Sequence, residues 1–371
     1  MILLSSLIQL FEAELLAQYQ DRLLPSHLNA LAAMKNCRTS ASPAMLAQCT
    51  ECDHQILVPH SCGHRSCPHC QHHESQQWLE RQLQKLVPGQ YFLVTFTLPA
   101  PFRALAFAHQ STIYNLMIQC AWQCIQSFAH NDRQLQGTPG AIVVLHTHSR
   151  PLDLHPHVHL VVPAAAIDAE KRLWRTKRAK GKRRYLFDHK ALAKVFRAKL
   201  LAAITGEGLP LPQRYARKWV VDCKCVGSGE KALVYLGRYL YRGVIREKDI
   251  LACENGQVTF RYKDAETKRT ETRMVSGAKF LWLILQHVLP KGFRRARNFG
   301  FLHPNSKRLI AVLQYFFGFD PKRGLAFIKP RPQFKCPCCG APMKIIRTRI
   351  LPALSGSPPV PLAETAGACV M

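Results

Sequence analysis

The 371-residue sequence is poor in acidic residues: 23 Asp and Glu stand against 51 Lys and Arg, which gives a formal net charge of +28. This excess favours a polyanionic partner, because every phosphate that a basic side chain neutralises releases counterions and strengthens binding. Nucleic acid is therefore the expected partner. A basic protein without such a partner, or one that binds an anionic membrane, is the alternative.

Long apolar runs are also missing. No stretch of roughly 18 apolar residues could span a bilayer. The apolar run Met1–Leu4 has no basic residues before it and passes directly into Glu12 and Glu14. This pattern is not that of a signal peptide. Internal repeats are absent as well, so the chain is expected to form ordinary globular domains.

Cysteine, in contrast, is abundant: the chain has 15, an odd number, and several stand in Cys-x-x-Cys pairs. This usage indicates a reducing compartment and metal sites more than disulfides. Residues 53–66 separate the pair Cys49 and Cys52 from the pair Cys67 and Cys70. The four thiolates are predicted to bind one zinc ion in a small module at residues 37–73.

Other cysteines have no assigned partner. Cys37 and Cys62 could complete a second site, replace a ligand or be buried, and His60, His64 and His69 lie near them in sequence. The run Cys336–Gly340 opens a further zinc-like knuckle without an evident second pair downstream. Residues 351–371, rich in Pro and Ala, are predicted to be disordered.

The segment His155–Pro163 predicts a strand with two histidines on one face. His157 and His159 flank a single apolar residue, and side chains alternate across a strand. The two imidazoles could therefore hold one metal ion, although buried or surface histidines often have no such role. His146, on the strand predicted at 141–148, is the first candidate for a third ligand, and His155 is the second.

The order of predicted elements favours an α+β fold. Strand, helix, strand, strand, helix and strand follow one another, which is the order of a ferredoxin-like antiparallel sheet; the elements are expected at 91–98, 103–129, 141–148, 155–163, 189–205 and 218–226.

Nine of the residues 171–184 are basic. They are predicted to form a hairpin that turns near Gly181 and contacts DNA, with Trp174 and Tyr185 stacking on unpaired bases. A solvated charged face is the plainer interpretation.

Tyr235 and Tyr239 are predicted to lie one turn apart on a helix, with Ser228 as N-cap and Gly243 as its end. Aromatic residues at this spacing are often core residues. A tyrosine can also attack a phosphodiester and form a phosphotyrosyl bond. A free phenol has a pKa near 10, so a metal ion on the phosphate would have to assist the attack.

Together these motifs resemble transposases of the insertion sequence 91 family, which are two-tyrosine HUH rolling-circle enzymes. The resemblance covers about residues 25–305 and is carried by the following segments: Cys37–Ser40, Cys49–Cys52, Ser61–Cys70, Thr95–Pro99, Leu145–Thr147, His155–His159, Tyr235–Tyr239 and His287–Phe293. It implies an HUH-nuclease sheet, Mg²⁺ or Mn²⁺ on His157 and His159, and Tyr235 and Tyr239 as nucleophiles. It further implies Zn²⁺ on Cys49, Cys52, Cys67 and Cys70.

The resemblance also implies a function: nicking and strand transfer of single-stranded DNA at the ends of an insertion sequence and at its target, in the bacterial cytoplasm on nucleoid DNA. Three regions are expected: N-terminal helices and zinc module at 1–85, a catalytic domain at 86–320, and a Cys-containing C-terminal segment at 321–371. A plasmid or phage replication initiator or a relaxase would share the histidines and tyrosines. A zinc-containing DNA-binding regulator without catalysis is the alternative of another class. Tyr241, two residues after Tyr239, is expected to face away from the site.

Overall fold

The computed structural model describes residues 2–68, 70, 72–178, 185–240, 243–264, 266–327 and 333–351, and within helix ends it leaves the side chains of residues 72, 73 and 238–240 undescribed. In this part of the chain, no helix combines the length and apolar character needed to cross a membrane. The C-terminal stretch that was predicted to be disordered lies almost entirely outside the described residues.

The N-terminal region contains two helices, a short hairpin and a third helix, in agreement with the helices expected within residues 1–85. In chain order they are α1 (Leu4–Tyr19), α2 (Pro25–Lys35), β1 (Ala44–Cys49), β2 (Gln55–Pro59) and α3 (His72–Leu83). Pro25 at the first position of α2 suits a helix start, because its ring fixes φ and its missing N–H would have no helical partner.

The central region forms a mixed α+β domain. Its elements are β3 (Tyr91–Thr97), α4 (Arg103–Ala108), α5 (Gln110–Asn131), β4 (Thr138–His148), β5 (Leu154–Pro163), β6 (Ala165–Asp168), β7 (Leu173–Thr176), α6 (His189–Gly206), β8 (Val221–Cys225) and α7 (Glu230–Leu240). The strands lie in the order β7-β6-β4-β5-β3-β8 with antiparallel neighbours. The order β4-β5-β3-β8 is that of a ferredoxin-like sheet, which confirms the predicted fold class.

The C-terminal region adds a three-stranded sheet and further elements. They are β9 (Ile250–Glu254), β10 (Gln257–Lys263), β11 (Thr270–Ser276), α8 (Gly277–Leu285), β12 (Ala296–Gly300), α9 (Lys307–Phe316) and β13 (Met343–Ile350). Strand β12 pairs with β4 in the central sheet, whereas β13 pairs with β1 near the other end of the chain. Helix α8 packs on α1 in a separate apolar core.

The two faces of the central sheet differ in chemistry. On one face, alternate apolar side chains such as Val94, Val143 and Leu160 are fully buried with residues of α5 and α6. On the opposite face, Val144 and Val161 pack with residues of α3 and α7. Because side chains alternate along each strand, His146, His157 and His159 share this second face.

The first part of the basic segment forms strand β7. Strand β7 pairs with the preceding strand β6 through a turn at residues 169–172, and the turn expected near Gly181 falls in residues 179–184, outside the described part. The ring of Trp174 packs against Phe301 with centroids 5.2 Å apart, so one of its neighbours is a core side chain.

Candidate metal and nuclease site

Three histidines meet at one end of the central sheet. His146 on β4 lies directly opposite His157 on β5, and His159 lies two residue pairs further along, opposite Val144. One ring nitrogen from each of the three lies within 4.8 Å of the others. The structure therefore brings together His157, His159 and His146, the first candidate for a third ligand, in a group that could hold one metal ion.

Hydrogen bonds orient two of these rings. Nδ1 of His157 lies 2.7 Å from the backbone carbonyl oxygen of His155. A carbonyl oxygen only accepts, so Nδ1 must carry the hydrogen and Nε2 of the neutral ring keeps its lone pair for a metal. Nδ1 of His159 is 2.8 Å from the hydroxyl of Thr95, its cross-strand neighbour on β3.

Burial keeps the three imidazoles neutral. It lowers the pKa of His157 to about 4, and burial together with the neighbouring His157 lowers the pKa of His159 to about 3. Burial first, and then the other histidines, hold the pKa of His146 well below its ordinary value. A metal ligand must be the neutral imidazole, so all three are in the binding form at neutral pH.

His155, the second candidate for the third ligand, is placed outside this group. A guanidinium nitrogen of Arg103 donates to its Nδ1 at 2.9 Å, while its carbonyl accepts from His157. Its contribution in this structure is therefore to hold His157. His287 in turn bonds Thr147 and the carbonyl of Leu152, which fixes the chain beyond the histidine strand.

The predicted tyrosine helix lies over the histidine face. Helix α7 packs on α3 through Leu233 and Leu236. The centroid of the Tyr235 ring lies 6.4 Å from that of the His159 ring, and 42% of the surface of Tyr235 is exposed. Tyr239 belongs to the same helix, one turn on, but its side chain lies outside the described part; Tyr241 lies wholly outside it.

Helix α7 is described as far as Leu240, and Gly243, the helix end expected from the sequence, lies in a close contact with the cysteine module. A Cβ at this position would lie 2.9 Å from the carbonyl oxygen of Ser66 and 3.1 Å from the Cα of Pro68. The chain after the tyrosine helix therefore touches the cysteine module closely enough that only glycine fits.

A basic groove of about 1550 Å³ runs beside β12, at the edge of the central sheet. It is bounded by α3, α5, β12 and α9, and none of the described residues that line it is acidic; its cations include Arg65, Arg81, Lys85, Arg295, Arg297 and Lys307. Burial, followed by the charges of Lys307 and Arg81, lowers the pKa of Lys85. Arg295, which lines the groove, accepts a hydrogen bond from the amide of Leu145 through its carbonyl oxygen at 2.8 Å, and its charge contributes to lowering the pKa of His146. One wall of the groove therefore lies near the histidine site.

The cysteine module supplies one wall of this groove. Two guanidinium nitrogens of Arg65 donate to the carbonyl oxygens of Phe293 and Pro290, each at 2.7 Å. Arg65 stands between Cys62 and Cys67 in sequence, so it couples the fold of the module to the shape of the groove.

The cysteines form two clusters rather than the single expected site. Cys67 and Cys70 meet Cys37 and Cys62, whereas Cys49 and Cys52 meet Cys336 and Cys339. The grouping of Cys49 and Cys52 with Cys67 and Cys70 is therefore wrong. The physical reason is the pairing of β1 with β13, which carries the first knuckle away from Cys67 and toward the C-terminal one.

The spacing of the sulfur atoms fits zinc in both clusters. Neighbouring sulfurs are 3.4–3.6 Å apart in the first and 3.4–3.7 Å apart in the second. Zn–S bonds of about 2.3 Å in a tetrahedron place the sulfurs about 3.8 Å apart, whereas a disulfide would need about 2.05 Å. Each cluster is thus a four-thiol set of the size that zinc requires.

Comparisons with known proteins identify the family. Residues 7–98 match the family described as "Transposase zinc-binding domain" of insertion sequence 91 elements, and residues 140–309 match the two-tyrosine family described as "Putative transposase". The histidine strands, the tyrosine helix and the first cysteine cluster lie within these two matches. The chain belongs to the insertion sequence 91 family of transposases.

Two relatives show the extent of the similarity. The chain is 32% identical to "Putative transposase y4qJ" of Sinorhizobium fredii over 73% of each chain. It is 29% identical to the transposase for insertion sequence element IS801 of Pseudomonas savastanoi pv. phaseolicola, over 79% of this chain and 76% of that one.

Among solved structures, the conjugative relaxase TrwC in complex with oriT DNA aligns with 62% of this chain and 73% of its own, at 13% identity and a TM-score of 0.26. Its complex with mutant oriT DNA aligns at 14% identity and a TM-score of 0.25, over 61% of this chain and 74% of that one.

Sequence reasoning missed several residues of the site. Thr95 is one of them, since its hydroxyl contacts His159. Thr95 and Thr97 are polar residues that alternate with apolar ones along β3, and this alternation is the signal that could have indicated Thr95. Arg65 and Arg103 are others, and their partners are distant in sequence, so no local pattern marks them.

Proposed function

We propose that this transposase nicks and rejoins single-stranded DNA through 5′-phosphotyrosine intermediates, and thereby moves an insertion sequence by a rolling-circle route. The observation that carries the proposal is the approach of a half-exposed tyrosine, Tyr235, to a group of three neutral histidines, of which His146 and His159 are buried and His157 is half-buried. Neither feature alone requires nuclease chemistry, but together they supply a nucleophile and an ion site on one surface.

His146, His157 and His159 would hold the nuclease ion, Mg²⁺ or Mn²⁺. Such an ion would supply Lewis-acid chemistry, by polarising the oxygens of the scissile phosphate and stabilising the charge of the transition state. The hydrogen bonds of His157 to a carbonyl and of His159 to Thr95 fix the rings, so no ordering is needed when the ion and the DNA arrive.

Tyr235 would act as a nucleophile. Its phenolic oxygen forms a bond to phosphorus as the bond from phosphorus to the 3′-oxygen breaks. The phenol gives up one proton and the departing 3′-oxygen takes one up as a hydroxyl, so the step is balanced in protons. The products are a protein-linked 5′ end and a free 3′-hydroxyl, which can attack a later phosphotyrosine to rejoin the strand.

Tyr239 would be the second nucleophile. Residues four apart on a helix occupy the same face, so a strand moving by a short distance could reach either phenol. Two nucleophiles allow a second cleavage while the first covalent link still holds the other end.

The basic groove is the proposed path of the DNA strand. None of the described residues that line the groove is acidic, and the charges of Lys307 and Arg81 add to the effect of burial in lowering the pKa of Lys85. Phosphates would relieve the repulsion between these cations. Zinc on Cys37, Cys62, Cys67 and Cys70 would hold the module that positions Arg65 in the groove.

A nicking assay tests the proposal. Full-length protein with Mn²⁺ is expected to cut single-stranded DNA that contains the end of the element. The double variant His157→Ala/His159→Ala is expected not to cut it. Its affinity for this DNA should stay within about threefold of the wild-type value, because phosphates contact Lys and Arg rather than the histidines. Wild-type protein that binds this DNA without cutting it would favour a regulatory role, and cutting by the double variant would exclude the histidine site.

A further inference from the structure

The second cysteine cluster joins the N-terminal cysteine module to the C-terminal segment that carries β13. Cys49 Sγ lies 3.4 Å from Cys339 Sγ, and Cys52 Sγ lies 3.7 Å from both Cys336 Sγ and Cys339 Sγ. These distances are close to those of a tetrahedral zinc site and exceed a disulfide bond by far. Cys336 and Cys339 lie outside the matched zinc-binding domain, which ends at residue 98.

The backbone on both sides forms knuckles that expose the thiols toward each other. The amide of Glu51 donates to Cys49 Sγ at 3.4 Å, in the same way that the amide of His64 donates to Cys62 Sγ in the first cluster. On the other side, Gly340 donates to the carbonyl of Cys336 at 2.9 Å and has a φ of +74°, which favours glycine. Such turns satisfy the backbone while the sulfurs stay free for a metal.

The apolar contacts around this cluster are few. Its buried core consists of Ala47, Cys49, Cys336 and Met343, and six of the eight residues of β13 are exposed. A core this small contributes little to the free energy of folding, and structural zinc is a common substitute in such modules. The pairing of β1 with β13 therefore needs another source of stability.

We propose that Cys49, Cys52, Cys336 and Cys339 bind a second structural zinc ion that clasps the C-terminal segment onto the N-terminal module. The clasp closes a loop that contains residues 53–335, and it would hold in place the cysteine module, whose Arg65 forms part of the groove wall. It is independent of the nuclease ion and of the first cysteine cluster.

Cys338 provides a control within the same turn. Cys338 and Cys339 are both exposed, but only Cys339 belongs to the cluster. In the zinc-loaded full-length protein, a thiol reagent read by mass spectrometry is expected to label Cys338 at least about tenfold faster than Cys339, because a metal-bound thiolate is shielded. Removal of zinc with a chelator should make the two rates similar. Equal labelling before chelation would overturn the proposal.

Metal content provides the second test. Wild-type protein and Cys338→Ser are expected to contain about two zinc ions per chain, and Cys336→Ser/Cys339→Ser about one. Hydrogen exchange should then show protection lost in β13 but retained in the central sheet. Two zinc ions in the double variant would refute the clasp; a variant that does not fold leaves the labelling experiment on wild-type protein to decide.

Discussion

Replacement of Thr95 tests the histidine site without touching a proposed ligand. The threonine hydroxyl lies 2.8 Å from Nδ1 of His159, a side chain that is only 7% exposed. Thr95→Val keeps the shape of the side chain and removes this hydroxyl, so the imidazole loses the group that holds its plane and tautomer. Partners of metal-binding histidines typically contribute 10- to 100-fold to metal affinity, or about 1.4–2.7 kcal/mol.

We therefore expect Thr95→Val to weaken Mn²⁺ binding by about 10- to 100-fold. Thr95→Ser retains the hydroxyl and should restore affinity to within about threefold of wild type. Titration of full-length protein with Mn²⁺, followed by electron paramagnetic resonance, measures both values, and the Mn²⁺ concentration needed for half-maximal nicking should shift in parallel.

Two outcomes would refute this reasoning. Wild-type affinity in Thr95→Val would show that the hydrogen bond does not orient a ligand. Equal losses in the valine and serine variants would assign the effect to packing rather than to the hydroxyl. Binding of the DNA strand without metal should be unchanged in both variants and serves as the control for folding.

Three other predictions concern pH, the groove and the module contact. Because burial lowers the pKa of His157 and His159, protons should compete with the metal ion only below about pH 5. The affinity for Mn²⁺ is therefore expected to change by less than about threefold between pH 7.5 and pH 5.5. If these histidines had ordinary pKa values, each would lower the affinity by about tenfold over this range. The double variant Lys85→Ala/Lys307→Ala should lower the slope of log affinity for single-stranded DNA against log salt by about 1.4. The control is Arg308→Ala, which removes an exposed charge next to Lys307 but outside the groove lining, and which should have a smaller effect. Equal effects would exclude the groove as the DNA path. Gly243→Ala should destabilise the protein by about 1–3 kcal/mol in denaturant unfolding, since its Cβ would press on Ser66 and Pro68, and a change below about 0.5 kcal/mol would contradict the close contact.

Local sequence patterns predict much of the fold and of the histidine group. Alternation along two strands places His157 and His159 on one face, and the short connection between β4 and β5 makes His146 a natural neighbour. The helical spacing of Tyr235 and Tyr239 is local as well. Each of these inferences needs only the period of one element and the identity of the adjacent one.

The cysteine partners could not be predicted in the same way. A Cys-x-x-Cys pair indicates a knuckle, but which knuckles share an ion depends on strand pairing between distant segments. Cys49 pairs in register with Met343, a partner almost the length of the chain away. Cys37 and Cys62 stand outside any Cys-x-x-Cys pair, and only the folding of residues 37–70 brings them to Cys67 and Cys70.

The most direct test of the central claim is the detection of a covalent bond between protein and DNA. Single-stranded DNA with the element's end, incubated with wild-type protein and Mn²⁺, should yield a 5′-phosphotyrosyl peptide that mass spectrometry maps to Tyr235 or Tyr239. Each single Phe variant should keep an adduct on the remaining tyrosine, and Tyr235→Phe/Tyr239→Phe should form none while it retains zinc and DNA binding. An adduct that persists in the double variant, or that maps to Tyr241, would contradict the assignment of the nucleophiles.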